Sequence, residues 1–186
     1  MRRWWARNRL PLVVAAVLVP LTIGVTFGSE WWQYFSGRPV QLTAAGRGSS
    51  VLYARAEFTV DGVSRISADS AAGRADGLPA GSDLILVTLS IAPKRVHDDG
   101  SSTLCTMELD ELDRGTVTRH WTDANFDPID YRRADGLESG CNSALQHAYR
   151  AQVPFVVPAG AGTGDTELAL LLYSADVLPK ALRLRL

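Results

Sequence analysis

Residues 84–91 read LILVTLSI, eight positions with no charge and only Thr88 and Ser90 polar. So nearly continuous an apolar run predicts the central strand of a core. The flanking sequence repeats the rhythm of strands and turns. Upstream, residues 67–83 are rich in Ala, Gly, Ser and Asp, contain Pro79, and read as a loop. Before that loop, residues 51–60 alternate, with Leu52, Ala54, Ala56, Phe58 and Val60 on one face. Asp61-Gly62 is a hairpin signal leading into residues 63–66. Downstream, Cys105, Met107 and Leu109 share a face of a strand at 104–109; Asp113-Arg114-Gly115 is a turn, and residues 116–121 pair back. Residues 122–148 are irregular, with a helical turn expected near 143–147. Strands then follow at 149–157, 167–173 and 181–186, the last with Leu182, Leu184 and Leu186 inward and Arg183 and Arg185 outward. Pro154 points to an edge position or a bulge. About seven to eight strands at this spacing predict an all-β, antiparallel, immunoglobulin-like β-sandwich. There is no long amphipathic helix to support a parallel α/β fold, and no internal repeat.

The N-terminus has another character. Residues 10–29, LPLVVAAVLVPLTIGVTFGS, carry no charge. As a helix they span about 30 Å, the thickness of a hydrocarbon core. Trp4-Trp5 and Trp31-Trp32 flank the run as aromatic belts do, and Arg2, Arg3, Arg7 and Arg9 place the N-terminus in the cytoplasm. A cleaved secretory signal has a shorter apolar region and a small-x-small site, and the sites here, near Gly28, are poor. The expected layout is a cytoplasmic tail at 1–9, a transmembrane signal-anchor at 10–29, a juxtamembrane linker at 30–49 and an extracytoplasmic sandwich at 50–186. The lipid bilayer is then the partner of residues 10–29, and the cell membrane, single-pass, is the location.

The net charge of −1 conceals an asymmetry: four arginines and no acid in the first nine residues, then 15 basic against 20 acidic residues. A mildly acidic outer domain excludes nucleic acid, which needs clustered cations. The two cysteines, Cys105 and Cys141, both fall on the outer side, and an oxidising compartment predicts a disulfide between them. That bond would pin the longest irregular connection to the sandwich.

The segments LILVTLSI, Cys105-x-Met107-x-Leu109, Trp121 after a hairpin, Cys141, PFVVPAGA at 154–161 and the closing LPKALRLRL together resemble the membrane-anchored immunoglobulin-like domains of unknown function common in high-G+C Gram-positive bacteria. The likeness covers roughly residues 50–186. It implies a sandwich fold and an envelope location, and it carries over no catalytic residue. Antibody-type domains set Trp between two cysteines on facing strands. Trp121 does lie between Cys105 and Cys141, but Cys141 falls in the irregular stretch.

No constellation for chemistry stands out, so no enzyme is expected. His97, His120 and His147 lack metal-ligand spacing. The acidic groups at Asp98-Asp99, Asp110-Glu111-Asp113 and Asp123, Asp127, Asp130 do not match an EF-hand, which leaves a calcium-binding loop as the alternative to a solvated one. AGAGTGD at 159–165 departs from the dinucleotide fingerprint and reads as a hairpin loop. No G-x-S-x-G is present, which leaves an envelope hydrolase as the weakest reading. No cofactor is expected. Trp121, Phe126, Tyr131, Arg132 and Arg133 have the composition of a recognition patch, the alternative being that they fold back onto the sandwich. The functional expectation is a binding or scaffolding module with an envelope or membrane protein partner, the alternative being an exported solute- or metal-ion-binding domain that takes calcium through its acidic loops.

Overall fold

The computed structural model describes residues 2–95, 98, 101–125 and 129–186; of residues 2–7 it describes the helical backbone. His97, Asp99, Phe126 and Asp127 therefore lie outside the described residues. The chain divides into two compact units, residues 1–38 and 39–186.

The first unit is one helix, α1, Arg2–Ser36. Its stretch Asn8–Ser36 is long and apolar enough to cross a membrane and is exposed all round. The helix runs on to Ser36, past the end of the uncharged run at Ser29, because Glu30, Gln33 and the aromatic residues around them are all compatible with helix. Trp31 and Phe35 pack one turn apart at 4.6 Å. Arg38 closes the unit over the Tyr34 ring, 3.9 Å from its centroid. The arginines and tryptophans at 2–7 lie in the first turns; Arg9, Trp31 and Trp32 are exposed.

The second unit is a sandwich of nine strands in two sheets. The strands are β1 (Gln41–Ala45), β2 (Val51–Tyr53), β3 (Ala56–Ser67), β4 (Ser82–Pro93), β5 (Thr106–Asp113), β6 (Thr116–Thr122), β7 (Tyr149–Pro158), β8 (Thr166–Tyr173) and β9 (Lys180–Arg185). One sheet has the order β1-β9-β8-β5-β6 and the other β2-β3-β4-β7. Every pairing is antiparallel except β1 with β9. Hairpins join β5 to β6 and β8 to β9, and the chain changes sheet at β1→β2, β4→β5, β6→β7 and β7→β8, so the two sheets of the sandwich are built from interleaved segments. The segment expected as a linker at 30–49 thus holds the end of α1 and all of β1. Strand β1 escaped notice because its five residues are mostly exposed and carry no alternation.

The apolar run at 84–91 is explained by burial on both sides. Ile85, Val87, Leu89 and Ile91 face Phe58, Phe155, Leu170 and Leu184 in the main core. Leu84 and Leu86 face outward, where Ala68 and Leu78 cover them together with Ile129 and Tyr131. The covering loop carries a short helix, α2 (Ala71–Ala75), capped by Ser70, whose hydroxyl accepts from the Gly73 N–H at 2.9 Å. Gly73 is required there, since a Cβ would stand 2.1 Å from the Ser67 carbonyl oxygen.

Two turns differ from expectation. Asp61-Gly62 does not reverse the chain: β3 passes through it with a bulge between Val60 and Gly62. Asp61 instead accepts from the Ser90 hydroxyl (2.8 Å) and the Arg150 guanidinium (3.1 Å). The reversal comes earlier, at Ala54-Arg55, which separates β2 from β3 with φ values of 45° and 69°. A tight hairpin needs two left-handed residues, usually Asn-Gly, so Ala-Arg gives no signal. Tertiary bonds hold it: the Ala54 carbonyl accepts from the Thr103 hydroxyl, and the Arg55 carbonyl from the Lys94 and Arg95 N–H groups at 2.8 and 3.2 Å.

Candidate functional site

Residues 123–148 connect β6 to β7, and their described parts, 123–125 and 129–148, bond along the β7 edge. They carry the predicted patch. Strand β7 is the edge of its sheet, and successive residues of a strand turn their backbone groups to alternate sides. Its even-numbered residues face outward, so Pro154, which lacks an N–H, costs no ladder bond there. The excursion takes up the outward groups one after another. The Arg150 carbonyl accepts from the Glu138 N–H, and the Gln152 N–H donates to the Glu138 carbonyl, both at 2.9 Å. The Gln152 carbonyl accepts from Arg133 Nε at 2.9 Å, and the Pro154 carbonyl from the Ala124 N–H at 2.8 Å. An edge that would otherwise offer itself to a foreign strand is thereby closed.

The predicted residues separate in this frame. Tyr131 packs on the outer cluster and donates to Gln152 Oε1; burial holds its phenol above the ordinary value, with Arg133 opposing. Arg133 also donates to Asn125 Oδ1. These two fold back onto the sandwich, while Arg132 between them is exposed. Trp121 is half-buried against the main core beneath Arg119, 5.6 Å away. Phe126 lies outside the described residues. At the far end, Cys105 and Cys141 are disulfide-bonded with Cα atoms 5.4 Å apart. The bond joins the approach to β5 to the excursion and does not link the two sheets, unlike the antibody-type pairing. Around it Ser102 donates its N–H to the Ser143 carbonyl (2.7 Å), and the Tyr149 hydroxyl accepts from the Asn142 N–H (2.9 Å). A single turn, from the Leu145 N–H to the Asn142 carbonyl, stands where a helical turn was expected.

Two shallow depressions flank Asn125 and Ser139. One, of about 210 Å³, borders Ile129, Tyr131 and Arg133. The other, of about 220 Å³, has Met107, Val153 and the disulfide at its base and Asp123, Asn125 and Ser139 at its rim. Asn125 and Gln152 escaped the sequence reading because a single polar residue carries no period; Ser139, whose surroundings in sequence offer no histidine, lies at the rim of both depressions.

The buried carboxylates serve the fold. Glu111 accepts from the Gly162 N–H (2.8 Å), the Thr166 hydroxyl (3.0 Å) and Arg119 (2.5 Å). Burial pushes its carboxyl up, but these donors together hold it below the ordinary range. Asp83 binds Arg65 at 2.7 Å and the Gly160 N–H at 3.3 Å, and Arg65 reaches the Ala161 carbonyl. The AGAGTGD segment is therefore a crossover from β7 to β8, in different sheets, held by two buried acids, and not a hairpin loop. Asp110 pairs with Arg183 at 2.9 Å, and burial raises its carboxyl above the ordinary value against that partner. Among the described residues no three His, Cys, Asp or Glu side chains converge to hold a metal ion.

No family model matches the chain, and no curated protein matches it. Among solved structures it is similar to an uncharacterised β-sandwich protein of Clostridium difficile 630, at 10% identity and a TM-score of 0.43, over 78% of this chain and 95% of that one. It is also similar to a candidate lipoprotein of Bacillus subtilis 168, at 12% identity and a TM-score of 0.43, over 74% of this chain and 38% of that one.

Proposed function

We propose that this chain is a membrane-tethered, non-enzymatic binding module: residues 1–9 in the cytoplasm, α1 across the membrane, and the sandwich outside, presenting the 121–141 surface to an envelope or membrane protein. The observation that carries the reading is the division of the chain. An apolar helix with no buried residue from Asn8 to Ser36 leads into a separate unit with a closed core of its own. The helix is long enough for the hydrocarbon region, and the basic residues on its N-terminal side favour a cytoplasmic N-terminus. The buried acids of the sandwich are taken up by arginines, hydroxyls and backbone N–H groups. The surface combines exposed Arg132 with half-buried Tyr131 beside it and half-buried Trp121 of β6, the composition of interface anchors.

The test is photo-crosslinking in native membranes, with p-benzoylphenylalanine replacing exposed Arg132 and, as a control, exposed Leu52 in β2. A discrete adduct from position 132 that is absent from position 52 supports the module. Equal adducts from both positions, or none from either, would remove the assignment of the surface.

A further inference from the structure

While the excursion closes β7, its described residues leave the neighbouring edge open. Strand β6 is the outer strand of its sheet and is exposed along nearly its whole length. One side-chain bond shows which of its backbone groups face out. The Thr118 hydroxyl donates to the Glu111 carbonyl at 3.1 Å, so Glu111 turns that carbonyl toward β6. By alternation Leu109 does the same, while Glu108 and Asp110 turn toward β8. Their cross-strand partners follow: Arg119 and Trp121 bond inward, and the N–H and C=O groups of His120 and Thr122 point to the open edge. Among the described residues no other backbone bonds to them. Edges are ordinarily blunted by Lys, Pro or a bulge. Residues 120–122 have none of these, and the irregularity at Thr118 blunts the far half of the strand alone. Just past Thr122 lies the depression with Met107 and Val153 at its base and Asp123 and Asn125 at its rim.

We propose that this edge takes an extended segment of a partner polypeptide, which pairs with His120 and Thr122 and sets one apolar side chain on Met107 and Val153. The proposal rests on the binding-module reading and names the chemistry of its partner. An open ladder offers alternating donors and acceptors that a peptide backbone repeats at about 3.4 Å per residue, and a side-chain pocket adds selectivity. The β6 strand of a second copy fits less well. Antiparallel pairing about Trp121 would bring its residues 117–119, irregular at Thr118, opposite the depression.

The experiment uses the full chain in lipid nanodiscs and a panel of synthetic octapeptides alternating Val or Leu with Thr. Binding is read by fluorescence polarisation, and amide protection by hydrogen exchange. The expected result is a peptide that protects the amides of His120 and Thr122. Its affinity should fall at least about tenfold when its alternate N–H groups are methylated, or when its apolar residues become Asp. Thr122→Pro should weaken it equally, since that N–H carries no ladder bond; if this variant melts lower than the parent, the methylated peptide on the parent chain decides. Binding indifferent to methylation, absence of binding across the panel, or a dimer of this chain that protects the same amides would each overturn the proposal. An adduct from position 132 that persists when no peptide binds would leave the module reading standing.

Discussion

Glu111 shows how much of this fold depends on single side chains. Its carboxylate joins β6 to the β7–β8 crossover through bonds to Arg119, Gly162 and Thr166. Glu111→Gln should cost about 1–3 kcal/mol near neutral pH, because the charged hydrogen bonds of a buried carboxylate are lost. A carboxyl held below its ordinary value in the folded chain gives stability that is present above the unfolded value and lost as pH falls through the folded one. The melting curves of parent and variant should therefore converge in acid. Asp110 works in the opposite sense: raised by burial, it favours the folded chain as protons bind, so Asp110→Asn should steepen the acid loss. Ala54 offers a converse test. It holds a φ of 45° without being glycine, and Ala54→Gly should stabilise the chain by about 1 kcal/mol in denaturant titrations. These residues were hardly legible beforehand. An acid in an alternating strand and an alanine in a presumed strand look ordinary until the fold brings their partners to them.

At the scale of elements, the excursion at 123–148 is tied to the sandwich by backbone bonds along β7 and by one covalent link. The Cys105–Cys141 bond closes a sequence separation of 36 residues. On the chain-entropy model, Cys105→Ala with Cys141→Ala should cost about 3–4 kcal/mol in equilibrium unfolding. The same variant should exchange the Glu138 and Gln152 amides faster, since the strap that protects them is anchored by that bond. The long strands were legible, because LILVTLSI is a nearly continuous apolar run and residues 149–157 and 181–186 alternate with a period of two. The short ones were not: β1 is exposed, and β2 merges with β3 in the sequence because Ala-Arg gives no turn signal. Asp61-Gly62 misled for the matching reason, since a bulge uses the same residues as a turn. For the site, composition pointed to residues 121–133, but Tyr131 and Arg133 proved to be fasteners of the β7 edge, and only Arg132 among these three is fully outward.

The whole molecule is two units of opposite character, an apolar helix long enough to cross a membrane and a mildly acidic sandwich, and the proposed tether gives each its own solvent. The anchor reading follows from length and charge, which sequence displays directly, whereas a binding surface depends on which edges the fold leaves unpaired. The measurement that bears most directly on the proposed tether is intact mass of the full chain extracted from membranes, alkylated with and without prior reduction. A mass that retains residues 1–29, with both cysteines blocked until reduction, is the result expected of an uncleaved anchor with its sandwich in an oxidising compartment. A mass beginning near residue 29 or 30, or two thiols alkylated without reduction, would contradict the tether or its orientation.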